Sequence, residues 1–134
     1  MSAKSTAMDV SLAASLSALD AYALSQQVTA NNLANMNTEE FRASRVTLED
    51  VANQGGVAVQ EVREISAQPP LLPSQRLLEV QGQVVQEQVY ASGSTTDPAR
   101  EMVNLMVNQR AFEANAAAVR VQDEMVGTVL DISV

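Results

Sequence analysis

The sequence contains no cysteine, no histidine and no tryptophan. Without cysteine there is no disulfide staple, no thiolate metal site and no cysteine nucleophile, and the chain suits any redox compartment, including one outside the cell. Without histidine the commonest general base and the commonest transition-metal ligand are both missing. Positive charge is scarce: Lys4 and seven arginines stand against 16 acidic residues, for a net charge of −8. Nucleic acid and anionic membrane surfaces both require clustered basic residues, so neither is an expected partner. No apolar run is long enough to span a bilayer, so membrane insertion is not expected. Ala21-Tyr22-Ala23 has the small-x-small form of a signal cleavage site. However, Asp9, Asp20 and the serines at 2, 5, 11, 15 and 17 break up any apolar stretch before it, so no cleaved signal is expected.

Aromatic residues make up only 3% of the chain, although hydrophobic residues reach 46% over its 134 residues. Much of that apolar share is alanine, which buries little surface per residue, so a compact core built on it is weak. Alanine-rich faces suit close, extended helix-to-helix contact. This points to burial supplied by other chains.

What is present in quantity is helical periodicity. From about residue 8 to about residue 35, Leu12, Leu16, Leu19, Ala23, Gln26, Ala30 and Leu33 recur at alternating spacings of four and three. This is a heptad-like stripe with no proline or glycine inside it. A second long helix is expected from about Pro98 to about Ile132. Asp97 suits the N-cap, Pro98 the first helical position, and Glu101 the positive end of the dipole. Val107, Ala111, Ala114, Ala118, Val121, Met125, Thr128 and Ile132 form one stripe along it. Met102, Leu105, Phe112, Ala116, Val119, Val126 and Leu130 form another, so this helix needs neighbours on two sides. Met102, Met106 and Met125 suit either adaptable packing or a binding surface, and the two uses coincide if the packing lies between subunits. Phe112 and Tyr22 are candidate anchors.

Between the helices, residues 39–53 are polar with scattered apolar positions and lead to Gly55-Gly56. Residues 57–62 alternate as a short strand, Pro69, Pro70 and Pro73 form a breaker cluster, and a second strand is expected around Val84 to Tyr90. The expected fold is therefore mainly α. Long N- and C-terminal helices pair as an antiparallel coiled-coil-like hairpin with a small β or extended insert. The expected segments are 1–45, 46–96 and 97–134.

Nothing in the sequence reads as catalytic. Glu39/Glu40, Glu49/Asp50 and Asp123/Glu124 are adjacent pairs, and neighbours on a helix point about 100° apart, so they do not converge. Gly55-Gly56 lacks the Lys and Ser/Thr of a phosphate loop. Lys4 beside a serine imitates a Ser/Lys dyad, but at a chain end. No catalytic residue, metal or cofactor is expected, and no concave polar pocket with converging groups.

The first helix closes on "ANNLANMNT", with Asn31, Asn32, Asn35 and Asn37. Asparagine tolerates the left-handed conformation that ends helices, so Asn35 or Asn37 can supply the stop. Asn31 and Asn32 lie inside the helix, where asparagine is mildly unfavourable. Either their amides bond across an interface or to the following loop, or they are exposed and tolerated. Asn115 repeats the theme in "QRAFEAN".

Both ends of the chain resemble a known family. "VTANNLANMNTEEFRAS" (28–44) is similar to the N-terminal signature of flagellar rod and hook proteins, through Asn31, Asn32, Leu33, Asn35, Asn37 and Phe41. "DPAREMVNLMVNQRAFEANAAAVRVQDEMVGTVLDI" (97–132) resembles their C-terminal signature, through Glu101, Met102, Val103, Gln109, Arg110, Phe112, Glu113 and Asn115. Glu40 departs from the family pattern, which usually has glycine before the aromatic, so the turn there is expected to differ, with the helix able to run on. The resemblance implies a structural, non-enzymatic subunit of the flagellar basal-body rod. Such a subunit stacks helically into a hollow torque-transmitting shaft in the periplasm and leaves the cell uncleaved through the flagellar type III export apparatus. Its implied partners are copies of itself, related rod proteins and that apparatus. The short middle segment resembles the small proximal rod members. The residues expected at the subunit interface are Leu12, Leu16, Leu19, Ala23, Ala30, Leu33, Met102, Met106, Val107, Phe112, Ala114, Val121 and Met125. The rival reading is a soluble helical adaptor or chaperone that binds a client in a groove.

Overall fold

The computed structural model describes residues 2–52 and 55–132, with side chains from residue 6 onward. Lys4, and with it the Ser/Lys dyad, lies outside the described side chains. The element order is α1 (Ser2–Ala34), β1 (Ser44–Asp50), β2 (Val57–Glu64), β3 (Leu71–Val80), β4 (Gln83–Ser92) and α2 (Pro98–Ile132).

The helices are 33 and 35 residues long, so each runs about 50 Å at 1.5 Å per residue. Asp97 caps α2 as its sequence position predicts: its Oδ1 accepts the backbone N–H groups of Ala99 at 3.1 Å and Arg100 at 3.3 Å. The helices pack antiparallel. Asn108 of α2 donates from Nδ2 to Ser25 Oγ of α1 at 2.7 Å, and Gln122 donates from Nε2 to Ser11 Oγ at 2.7 Å.

The expectation of a mainly helical hairpin with a small insert does not hold. Four antiparallel strands of 7, 8, 10 and 10 residues form two separate two-stranded ribbons, so the fold mixes helix and sheet. Arg45-Val46-Thr47-Leu48 has a period of two that is hidden by its polar neighbours. It becomes a strand because β2 lies beside it, with Val46 opposite Val62 and a bulge after Thr47. Pro73, read as a breaker, sits inside β3 opposite Tyr90. A two-stranded ribbon has only edge strands, where a missing N–H breaks no ladder if it faces outward. β3 and β4 are joined by Gln81 and Gly82, both with positive φ (51° and 78°), the signature of a two-residue hairpin turn whose twist matches the strands.

The β1–β2 ribbon packs along α1. Gly56 (φ 104°) makes this contact possible: a Cβ there would lie 3.0 Å from Ala14 Cα and collide with Ser17 Oγ. Ser17 Oγ accepts the N–H of Val57 at 3.3 Å, which ties the start of β2 to the helix. The β3–β4 ribbon packs against neither helix and not against the first ribbon.

The helix stop also differs from expectation. Among described non-glycine residues only Glu40 (φ 59°) and Gln81 take positive φ, so neither Asn35 nor Asn37 is left-handed. Asn35 N–H instead shares the Asn31 and Asn32 carbonyls, each at 3.2 Å, and the turn unwinds through Thr38 N–H to Asn35 O at 3.1 Å. The left-handed residue is Glu40, at the position where the resembled signature has glycine. The helix does not run on.

Candidate assembly interface

The inner face of the helix pair is built from small and polar residues. The two hydrogen bonds above are separated by fourteen residues in each helix, running in opposite directions, so one register serves the whole contact. Ser11, Ala18, Ser25 and Asn32 recur every seven residues on α1, and Glu101, Asn108, Asn115 and Gln122 recur every seven on α2. This register sets Ser11 against Gln122, Ala18 against Asn115, Ser25 against Asn108 and Asn32 against Glu101. Buried residues lie on this face or beside it: Ala18, Ala21, Thr29 and Asn32 on α1, and Glu101 and Asn108 on α2. Apart from Ala43 and Gly93, no other described residue is buried, and the largest fully buried side chain is Asn32. Alanine and serine permit close approach. The amides fix the register, because sliding by a turn would strand them without partners. Asn115 donates back to Ala111 O at 2.8 Å, whereas Gln122 Oε1 is buried with no partner among the described residues.

The signature asparagines now divide by role. Asn32, 1% exposed, grips the backbone of Ser44 with both amide atoms, donating to its carbonyl at 2.8 Å and accepting its N–H at 2.9 Å. The side chain thereby imitates a strand neighbour for β1. Asn35 Nδ2 donates to Asn31 O at 2.9 Å and to Asn31 Oδ1 at 3.2 Å, and Thr38 Oγ1 donates to Asn35 Oδ1 at 3.1 Å. These bonds are local to the helix end. Around Asn32 three segments meet. Thr95 Oγ1 accepts Ala43 N–H at 2.8 Å, Thr95 N–H reaches Phe41 O at 3.0 Å, and Thr96 Oγ1 donates to Asn32 O at 3.2 Å. The Ser/Thr loop before Asp97 therefore locks the end of α1 to the start of α2.

The large apolar side chains lie elsewhere. Of the residues expected at the subunit interface, Leu16, Ala30, Met102, Met106, Val107, Ala114, Val121 and Met125 are exposed. Leu12, Leu19, Ala23, Leu33 and Phe112 are half-buried. Of the signature residues, Asn31, Asn37 and Arg110 are exposed, Leu33, Asn35, Phe41 and Asn115 half-buried, and Asn32 and Glu101 buried. Near the end of α2, Leu130 is 64% exposed and Ile132 80%. The β3–β4 ribbon adds Leu71, Leu77, Val84 and Tyr90, each more than half exposed. The chain presents 9865 Å² of accessible surface. A compact monomer of 14.3 kDa has about 6,800 Å². The excess is enough for several standard subunit contacts of about 800 Å² per partner.

One sequence expectation about shape fails: a concave polar cavity does exist. It holds about 220 Å³ between α1, β1 and α2, and is lined by groups that include Ser25, Thr29, Arg45, Glu101, Asn104 and Asn108. Among the described residues no three His, Cys, Asp or Glu side chains converge as a metal site, and no helix is long and apolar enough to cross a membrane. The sequence reading missed Ser11, Ser25, Asn108 and Gln122. Their signal is a seven-residue period of polar side chains, which runs beside the more conspicuous hydrophobic stripes.

A helix pair with small residues inside and large apolar residues outside leaves exposed apolar surface of the kind that marks a contact with another molecule. Residues 12–42 match the family described as "Flagella basal body rod protein", and residues 87–132 match "Flagellar basal body rod FlgEFG protein C-terminal". The chain belongs to the flagellar basal-body rod family. No individual curated protein matches it.

Proposed function

We propose that this chain is a rod subunit of the small, proximal kind, which stacks helically into a hollow shaft that carries torque and encloses an export channel. The observation that carries this reading is the distribution of side-chain size. Alanine, serine and asparagine fill the contact between the chain's own helices, while Leu16, Met102, Met106, Val107, Val121 and Met125 face outward. Burying one such Leu or Val fully contributes about 1.5–3 kcal/mol. In this reading the terminal segments 1–45 and 97–134 form the shaft, and 46–96 supplies lateral contacts through its two ribbons. A contact that joins different faces of successive copies builds an open helix and not a closed ring. The partners are further copies and related rod proteins, and the flagellar export apparatus delivers the chain to the periplasmic axis.

The test is deletion of the gene followed by electron microscopy of purified basal bodies. A missing or truncated shaft, restored by the intact gene, is the expected result. Intact shafts in the deletion strain, together with a discrete, stably folded dimer of the purified protein, would favour the adaptor reading.

A further inference from the structure

We propose that β4 of one copy pairs edge to edge with β2 of the next, so that ribbons of neighbouring chains join into one four-stranded sheet. The proposal rests on the rod-subunit reading and assigns its lateral contact to particular strands. Its basis is which strand edges the chain leaves open. In an antiparallel ribbon, residues alternate between bonding the partner strand and directing N–H and C=O outward. Gly93 N–H donates to Pro70 O at 2.7 Å, so the adjacent Leu71 and Ser92 direct theirs outward. Ser92 O accordingly accepts the N–H of Glu40, outside the ribbon, at 3.1 Å. By the same alternation the outward groups of β3 are those of Pro73, Gln75, Leu77 and Glu79. Those of β4 are on Val84, Gln86, Gln88 and Tyr90.

The edges are not alike. β3 carries Pro73, which offers no N–H, and two charges, Arg76 and Glu79, all devices that discourage pairing. β4 has no proline, no glycine and a single charge, Glu87, and residues 83–88 are all exposed. Among the described residues, no segment outside the ribbon bonds the outward groups of Val84 to Tyr90. Such an edge is a template for a further strand. In the first ribbon β1 is closed, because Asn32 occupies both backbone groups of Ser44. The start of β2 is closed as well, by Ser17 on Val57 N–H. Its end is open. Ile65 N–H bonds Ala43 O at 2.8 Å, so Glu64 and Val62 turn outward, within a stretch, 60–64, that is exposed throughout.

The two open edges differ, so joining them makes a head-to-tail contact that repeats from copy to copy. Pairing β4 with β4 would instead close a two-fold dimer and leave β2 uncovered. The charges agree. An antiparallel register with Val62 opposite Gln88 sets Arg63 opposite Glu87, an attractive cross-strand pair. A slide that brings Val62 to Gln86 sets Glu61 against Glu87, and a slide to Tyr90 leaves Arg63 facing Val89.

Proline tests the edge. The Gln88 N–H points outward, so Gln88→Pro removes no bond within the ribbon and is expected to keep the wild-type circular dichroism spectrum. In cells lacking the native gene it is expected to reduce swimming at least tenfold. Gln75→Pro makes the same change on the outer edge of β3 and is expected to swim normally. Normal swimming by Gln88→Pro, or equal loss in both variants, would overturn the proposal. Cysteines test the pairing without relying on the proline variants. Within one chain no Cα of β2 comes within 8 Å of β3 or β4, and disulfide-linked Cα atoms lie at most about 7 Å apart, so a disulfide between these strands joins two copies. In isolated basal bodies Val62→Cys with Gln88→Cys is expected to cross-link copies at least fivefold more than Val62→Cys with Gln75→Cys. Equal linking by Gln88→Cys alone would reveal a two-fold β4 contact and overturn the proposal. Basal bodies that contain the chain but link through neither pair overturn it and leave the rod reading intact. Basal bodies without the chain overturn both.

Discussion

Asn108 and Ser25 meet at 2.7 Å across the two long helices, with Asn108 donating and 8% exposed. This contact joins residues 83 positions apart in sequence and helps to set the register of the whole pair. Asn108→Ala is expected to lower stability by about 1–2 kcal/mol, the usual effect of removing a buried hydrogen bond. Adding Ser25→Ala is expected to cost less than the sum of the two single changes, with a coupling of about 0.5–1.5 kcal/mol in a double-mutant cycle. Strict additivity in chemical denaturation would show that the bond contributes nothing to the pairing.

The two signature asparagines are expected to differ sharply. Asn32→Ala removes both partners of the Ser44 backbone, so a loss of about 2–4 kcal/mol is expected, from two hydrogen bonds and the groups they strand. Asn35→Ala removes bonds local to a partly exposed turn and should cost under about 1 kcal/mol. Thermal melting of the two variants side by side checks the ranking, and equal losses would show that the Ser44 clasp has no special weight.

Backbone conformation gives a pair of opposite effects. Glu40 is left-handed at φ 59°, which is unfavourable for a residue with a side chain, so Glu40→Gly is expected to raise stability by about 0.5–1 kcal/mol. Gly56 combines positive φ with close approach to Ala14 and Ser17, and Gly56→Ala is expected to lower stability by about 2–3 kcal/mol. Circular dichroism melts that shift in the same direction for both variants would contradict this account.

Assembly and folding separate at the outer faces. Val121 is 50% exposed, so Val121→Asp should change monomer stability by less than about 0.5 kcal/mol while abolishing swimming. Leu19 is half-buried, so Leu19→Asp should lose both stability and swimming. A soluble, well-folded Val121→Asp protein that supports normal motility would remove this helix face from the subunit contact.

Much of this was legible in the sequence, through local chemistry. Pro98 starts α2 because a proline needs no N–H partner in the first turn, and Asp97 caps it because its carboxylate reaches the free N–H groups. The long apolar stripes announced helices that need company on more than one side. The strand from Ser44 to Asp50 was obscured, because a short polar alternation becomes a strand only when another strand lies beside it. The left-handed turn at Glu40 was flagged only as a departure from the family pattern, since sequence names the odd residue but not its φ.

The sequence alone determined that two long helices would flank a β-containing middle, that the chain has neither the cysteine nor the histidine for most site chemistry, and that it has more apolar surface than it can hide. Only the tertiary structure decided which helix faces meet. Spacing reveals periodic stripes but not which stripe turns inward. In this chain close backbone approach and paired amides claimed the inner seam for Ser11, Ser25, Asn108 and Gln122. The larger hydrophobic side chains, too bulky for that approach, were left on the outside.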